Sequence, residues 1–258
     1  MGRGIAGTKS RKRLYGRSVM YDRSAAAIYD AMNRGAGKDY GAEAAAVTEA
    51  VLARRPEART LLDVACGTGE HLSHLRHRFE VEGLELSEHM AAIARTKLGP
   101  DIPIHAGDMR SFDLGHTFDA VTCMFSSIGY ARDALQLGRA IGSMAQHLVP
   151  GGVLVFDAWL LPEQWLDGHR RAFAVNEEDL TLTRLDTSHR TGRTSVLDFH
   201  FAAATGDGVD RFTERHELTM HTAEEYEAAL AAAGCTAERV PGLPDGRLRY
   251  AAVRVPEG

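Results

Sequence analysis

Residues 60–65, Thr-Leu-Leu-Asp-Val-Ala, form an apolar run that stops at Gly67 and Gly69, after which Leu72, Leu75 and Phe79 recur at helical spacing. An apolar strand, a glycine turn and an amphipathic helix in that order predict the first crossover of a parallel sheet. The alternation continues. Residues 81–85 read as a strand, 87–98 as a helix with Ser87 as its N-cap, and 102–106 and 118–124 as strands. Residues 132–148 read as a helix closed by Pro150-Gly151-Gly152, and 153–157 as a fifth strand. Such repetition needs helices on both faces of one twisted sheet with right-handed connections, which predicts a doubly wound α/β fold.

The flanks differ. Residues 24–55 are alanine-rich and helical, broken by Gly35-Ala36-Gly37 into two helices and closed by Pro56. Residues 170–220 hold alternating β-branched stretches around Gly192 and Gly206-Asp207-Gly208, which predicts an inserted antiparallel sheet. Thr222-Ala223-Glu224-Glu225 is a capping box opening a helix with Tyr226, Leu230 and Ala233 on one face and Gly234 at its end. Residues 236–240 and 248–255 read as the last strands. The expected division is a basic, flexible tail over 1–20, a core over 21–157, a cap over 158–220 and a C-terminal completion of the core over 221–258.

Composition narrows the function. Hydrophobic residues make up 44 % and charged residues 25 % of the 258, the proportions of a folded globular chain. The net charge of −5 hides an asymmetry, because residues 1–20 carry Arg3, Lys9, Arg11, Lys12, Arg13 and Arg17 and no acid. The rest holds 24 basic against 35 acidic residues, which argues against a nucleic-acid surface on the body. The tail reads as a frayed terminus or as a phosphate-binding arm. Cys66, Cys123 and Cys235 are odd in number and widely spaced, which argues for a reducing compartment rather than a disulfide framework. With no 18-residue apolar run and no apolar leader, the expectation is a cytoplasmic chain without a membrane partner. His71, His74 and His77 lack the acids or cysteines that would complete a tetrahedral metal site, so they are read as a polar helix surface.

Ligands of doubly wound sheets bind outside the C-terminal ends of the strands. Gly67 and Gly69 lie there, and because Leu72 replaces the third glycine of a dinucleotide fingerprint, a nicotinamide oxidoreductase is disfavoured. Glu85 ends the second strand, where a carboxylate accepts both hydroxyls of an adenosine ribose. Asp108 and Met109 follow the third strand, placed to accept from an exocyclic amine and to pack on a purine. Singly, each acid also reads as a solvated loop residue and the glycines as a plain turn. Three such features at three successive strand ends point to an adenosine ligand.

The string Leu61-Leu62-Asp63-Val64-Ala65-Cys66-Gly67-Thr68-Gly69, with Gly83-Leu84-Glu85-Leu86-Ser87 and Gly107-Asp108-Met109-Arg110, resembles the cofactor motifs of class I S-adenosylmethionine-dependent methyltransferases. Gly37-Lys38-Asp39-Tyr40, Ala42-Glu43-Ala44 and Met124-Phe125-Ser126-Ser127-Ile128-Gly129-Tyr130 extend it, from Tyr21 onward, to the dTDP-amino-sugar N,N-dimethyltransferases of desosamine- and mycaminose-type pathways. The resemblance implies a Rossmann-like, seven-stranded, mostly parallel sheet with its last strand antiparallel and a small antiparallel β cap inserted after strand five. It also implies S-adenosylmethionine as cofactor, a nucleotide-linked amino sugar as substrate in antibiotic biosynthesis, and a homodimer. Tyr29, Lys38, Asp63, Ala65, Gly67, Gly69, Glu85, Leu86, Asp108, Met109 and Met124 then fall at the cofactor. Tyr21 and Tyr130 fall beside the sugar amine. Arg247, Ser127 and Trp159 face the rest of the substrate, where a guanidinium fork suits a diphosphate.

Departures cluster in the cap. Ala158-Trp159-Leu160-Leu161-Pro162 stands where relatives carry Pro-Trp-Trp-Phe-Pro, Gly242-Leu243-Pro244 where they carry Gly-Gly-Pro, and Val196 where they carry arginine. Another small amine or hydroxyl acceptor therefore stays open, as does a non-catalytic adenosine-binding module. A substrate ammonium must lose a proton before transfer, and a phenol with a pKa near 10 is a poor base. Tyr21 and Tyr130 are expected to orient the amine, although Tyr130 also reads as a packed aromatic.

Overall fold

The computed structural model describes residues 21–240, 243 and 246–256, so the basic tail over 1–20 and most of the loop before Gly246 lie outside the described residues. The chain opens with α1 (Arg23–Gly35), whose N-cap Asp22 accepts the backbone N–H groups of Ser24 and Ala25. In α2 (Tyr40–Leu52), Asp39 caps through Ala42 N at 2.9 Å. Then follow β1 (Thr60–Val64), α3 (Glu70–Leu75), β2 (Glu80–Glu85), α4 (Glu88–Leu98), β3 (Ile104–Ala106), β4 (Phe118–Cys123), a 3₁₀ turn (Ser127–Tyr130), α5 (Ala134–Gln146) and β5 (Leu148–Asp157). Four long strands, β6 (Arg170–Glu177), β7 (Leu180–Thr191), β8 (Thr194–Thr205) and β9 (Gly208–Thr219), precede α6 (Ala223–Ala232), β10 (Cys235–Val240) and β11 (Arg249–Arg254). The capping box of α6 is formed as read, with Thr222 N donating to Glu225 Oε2 at 3.0 Å and Glu225 N to Thr222 Oγ1 at 3.3 Å.

The larger sheet runs β10-β11-β5-β4-β1-β2-β3, with β11 antiparallel to both neighbours and the pairs from β5 to β3 parallel. This is the doubly wound α/β class expected from the alternation. Successive residues of β1 point to opposite faces. Leu62 and Val64 join Val121, Leu137, Ile141, Tyr226 and Leu230 on the α5–α6 side, while Leu61 joins Val47, Leu72, Ala91 and Val155 on the α2–α4 side. β6 to β9 form a separate antiparallel meander.

Some boundaries differ from the sequence reading. α3 stops at Leu75, although Phe79 continues the apolar spacing, because residues 76–79 turn back to deliver Glu80 N to Arg59 O at 2.7 Å. β5 begins at Leu148, so Pro150-Gly151-Gly152 lies within it rather than beyond a helix; the register with β4 shifts there, the irregularity that lets a strand accommodate proline.

α1 packs against α4 and against β6 of the meander. Its Ile28 and Met32 form a third apolar cluster with Val175, Leu182, Phe201 and Ala203 of the meander. Gly35 ends the helix where a Cβ would stand 2.2 Å from Val175 Cγ2, so close approach requires glycine there.

Candidate functional site

The turn after β1 is built from left-handed backbone. Ala65, Gly67 and Gly69 have φ of 56°, 59° and 77°. Glu85, buried at the end of β2, holds this turn, since Oε2 accepts Gly67 N and Oε1 accepts Ser87 N, each at 2.8 Å. Burial raises its carboxyl, and those backbone donors oppose the rise. Each oxygen retains a lone pair, and a Cβ on Gly67 would meet nothing within 4 Å among the described residues. Leu86, next in sequence, is 63 % exposed. Gly107 N donates to Glu85 O at 3.0 Å and draws the loop after β3 to the same place. There Asp108 is ion-paired with Arg110, which holds its carboxyl below the usual range, and Met109 is half-buried.

Behind this turn lies a buried charge cluster. Lys38 Nζ bonds both oxygens of Glu43, at 2.7 and 2.6 Å, and stands 3.7 Å over the Phe125 ring. Burial lowers the Lys38 ammonium, with Glu43 working against that. Burial alone would raise Glu43, but bonds from His71 and Lys38 outweigh it and hold the carboxyl at about 2. His71 Nε2 lies 2.8 Å from Glu43 Oε2 and the residue is 6 % exposed, so His71 is not part of a polar helix surface; His74 and His77 are exposed. The burial follows from α2 supplying a carboxylate across the interface. Asp63 is buried beside it, with Oδ1 accepting Thr122 Oγ1 at 2.7 Å and Oδ2 without a hydrogen-bond partner among the described residues. Burial pushes its carboxyl up to about 6.

A second cluster faces the cap. Tyr21 Oη and Tyr130 Oη lie 3.1 Å apart, and Tyr130 Oη is 2.8 Å from His216 Nδ1. His216 Nε2 is 3.5 Å from Glu214 Oε2, and Glu214 Oε1 accepts Tyr21 N at 2.8 Å. Tyr29 packs edge-on against Tyr21. Burial pushes the phenols of Tyr21, Tyr29 and Tyr130 upward, above their ordinary value. Ser87 Oγ donates to Tyr21 O at 3.0 Å and ties this cluster to the segment that carries Glu85.

Between the two, Met124 is buried in the core, and Ser127 Oγ donates back to Met124 O. Arg247 is 9 % exposed, bonds Ser126 Oγ through Nη1 at 2.6 Å, and has Phe125 and Trp159 within 6 Å of its guanidinium carbon. The Trp159 indole donates to Ser195 Oγ at 2.8 Å. Thus the residues expected at cofactor, amine and substrate gather around the C-terminal ends of β1, β2, β4 and β5, with Asp108 and Ser127 engaged locally. Tyr21, Ala65, Phe125 and Ser126 are the non-glycine residues at positive φ among the described residues, and all four lie in this constellation; strained backbone gathers where geometry serves a site. A cavity of about 440 Å³ lined by Thr60, Glu80, Glu82 and Phe118 lies at the opposite ends of the strands and takes no part.

Sequence reading missed Glu43, His71, Glu214 and His216. The spacing of Glu214 and His216, two apart on one strand, was the available signal; their partners Tyr21 and Tyr130 lie 193 and 86 positions away.

A family model described as a methyltransferase domain matches residues 61–152. The dTDP-3-amino-3,4,6-trideoxy-alpha-D-glucopyranose N,N-dimethyltransferase of Streptomyces venezuelae is 46 % identical over 230 residues, 88 % of this chain and 97 % of that one. The dTDP-4-amino-2,3,4,6-tetradeoxy-D-glucose N,N-dimethyltransferase of Saccharopolyspora spinosa is 42 % identical, over 92 % of this chain and 95 % of its own. Among solved structures, SAM-bound CalS10, an amino pentose methyltransferase of calicheamicin biosynthesis from Micromonospora echinaspora, superposes with a TM-score of 0.81 at 42 % identity, covering 93 % of this chain and all of that one.

Proposed function

The chain belongs to the S-adenosylmethionine-dependent N,N-dimethyltransferases of dTDP-amino sugars, and from that premise we propose that it methylates the amino group of a dTDP-linked amino deoxysugar. The observation that carries this reading is the bond from Ser87 Oγ to the Tyr21 carbonyl, which ties the residue carrying one hydroxyl of the Tyr21–Tyr130 pair to the segment that carries Glu85. Amine and methyl donor would thereby meet across one short gap.

The residues fit the cofactor. Glu85 offers two acceptor oxygens to ribose hydroxyls, Gly67 leaves room for close approach, and exposed Leu86 offers apolar cover for a purine. The unpartnered Oδ2 of Asp63 suits the ammonium of the methionine portion, and Lys38 its carboxylate. When bound, S-adenosylmethionine supplies a methyl activated by positive sulfur, so that the N–C bond forms as the S–C bond breaks and its electron pair stays on sulfur. The protein's part is mostly positioning. Tyr21 and Tyr130 hold the amine by hydrogen bonds, and Arg247 with Trp159 faces the nucleotide diphosphate. Asp108, released in part from Arg110, accepts from the adenine amine, and Met109 and Met124 pack near it. The cap excludes water from the transfer.

Among the described residues no helix is long and apolar enough to cross a membrane. The reading includes a cytoplasmic homodimer that needs no nucleic acid. Its test is incubation with S-adenosylmethionine and a panel of dTDP-3-amino and dTDP-4-amino deoxysugars, followed by mass. One or two methyl increments on a sugar establish the acceptor; cofactor binding without product on any sugar moves the acceptor to another small amine or hydroxyl.

A further inference from the structure

β9 carries two buried titratable side chains for which the reaction above has no task. Glu214 is 5 % exposed and His216 3 %, and alternation along the strand puts both on one face. His216 receives Tyr130 from the 3₁₀ turn at 2.8 Å and stacks obliquely near Tyr21 and near Phe199 of β8, at ring distances of 5.2 and 4.9 Å. Behind Phe199, Arg184 of β7 lies over the ring and is held by Asp186. Beyond the tyrosines stands Glu85 of β2.

This arrangement suits one direction for protons. In the tautomer with its hydrogen on Nε2, 3.5 Å from Glu214 Oε2, His216 accepts the Tyr130 hydroxyl at Nδ1. The Tyr130 oxygen then offers its lone pairs to Tyr21 Oη or to an N–H of a bound amine.

We propose that His216, backed by Glu214, takes through the Tyr130 hydroxyl the proton that the substrate ammonium loses before methyl transfer. The inference rests on the amino-sugar reading. One N–H bond of the ammonium breaks as Tyr130 Oη gains that proton, and the original Tyr130 O–H proton passes to Nδ1. What results is a neutral amine with its lone pair free, an unchanged phenol, and an imidazolium facing the Glu214 carboxylate; the proton returns to solvent after product leaves. Burial keeps the phenol from ionising, so Tyr130 hands a proton on without bearing charge. His216 acts through Tyr130 and is a positioning residue.

The test uses the full-length protein and a dTDP-amino sugar that it methylates, with kcat and KM followed from about pH 6.5 to 9.5. His216→Asn keeps an acceptor oxygen near the place of Nδ1, so Tyr130 stays oriented, but it takes no proton. Its kcat is expected to fall about tenfold near neutral pH with KM within about twofold, and the deficit to shrink as pH rises and more amine arrives neutral. Glu214→Gln follows the same trend. A deficit equal at every pH, or none, overturns the relay. A second readout needs no variant to turn over: the ¹⁵N imidazole resonances of His216 in wild-type protein loaded with S-adenosylhomocysteine move to those of imidazolium when the amino sugar binds. Resonances that stay those of neutral imidazole overturn it. If no amino sugar is methylated at all, the substrate reading itself fails and the relay with it, a result distinct from methylation with pH-independent variants.

Discussion

Oε2 of Glu85 accepts the backbone N–H of Gly67 at 2.8 Å, so the end of one strand sets the shape of the turn leaving its neighbour. That carboxylate has two tasks, supporting the turn and receiving ribose hydroxyls. Glu85→Gln keeps one acceptor oxygen for the turn but loses the charge. Two hydroxyl bonds to a charged acceptor contribute about 1.5 kcal/mol or more each, so the Kd for S-adenosylhomocysteine is expected to rise about 100-fold by calorimetric titration.

Asp63 gives a stability effect that opposes function. Burial pushes its folded carboxyl up to about 6 against an ordinary 3.8, so well below pH 3.8 it is neutral in both states and costs nothing. As pH rises from 4 through 6 the unfolded chain ionises first, and the native state loses up to about 3 kcal/mol relative to it. Asp63→Asn removes that loss. In urea unfolding without cofactor the variant gains on wild type between about pH 4.5 and 7, while its affinity for S-adenosylhomocysteine drops. A variant that is no more stable at neutral pH would show that Asp63 is not a desolvated charge.

Glu43 has the opposite sign. Its carboxyl, held at about 2, contributes stability that is present above its ordinary 4.5 and lost as pH falls toward 2. Glu43→Gln leaves the Lys38 ammonium and His71 without their shared carboxylate. Breaking a fully buried pair costs roughly 3–5 kcal/mol; Glu43 keeps some solvent contact, with a side chain 19 % exposed, and a loss of about 2 kcal/mol at pH 7 is expected. The difference between wild type and variant closes on acidification.

Gly35→Ala tests how closely α1 approaches the meander. The added methyl meets Val175, whose branched side chain has little freedom, and overpacking of this kind costs about 1–2 kcal/mol. Adding Val175→Ala opens the space and recovers part of the loss, which a double-mutant cycle in urea reads directly.

The fold was legible because apolar runs, capping residues and glycine turns act over a few positions. Thr60 to Gly69, Ser87 and the Thr222–Glu225 box each carry their own local reason, and the structure places strands, turns and caps there. Boundaries failed where a distant segment decides, as at Phe79, whose spacing fits a helix but whose neighbour Glu80 is claimed by Arg59. The cofactor turn was legible for the same local reason. Burial of His71 was not, since it depends on Glu43 from another helix, and neither was the Tyr21–Tyr130–His216–Glu214 chain, whose members come from the first, third and last quarters of the sequence.

The apolar seam between α1 and the meander also sets a timetable for synthesis. Ile28 and Met32 are made early, but Leu182, Phe201 and Ala203, which cover them, come about 150 residues or more later. At ordinary ribosomal speeds the helix waits on the order of ten seconds with its greasy side uncovered. The parallel strands can assemble meanwhile, yet the helix is covered only when the meander arrives, and β10 and β11 complete the sheet later still. Release of the nascent chain before that point would leave five parallel strands with the β5 edge still lacking β11 and β10, and an uncovered helix, the form of this protein most open to chaperones and to self-association.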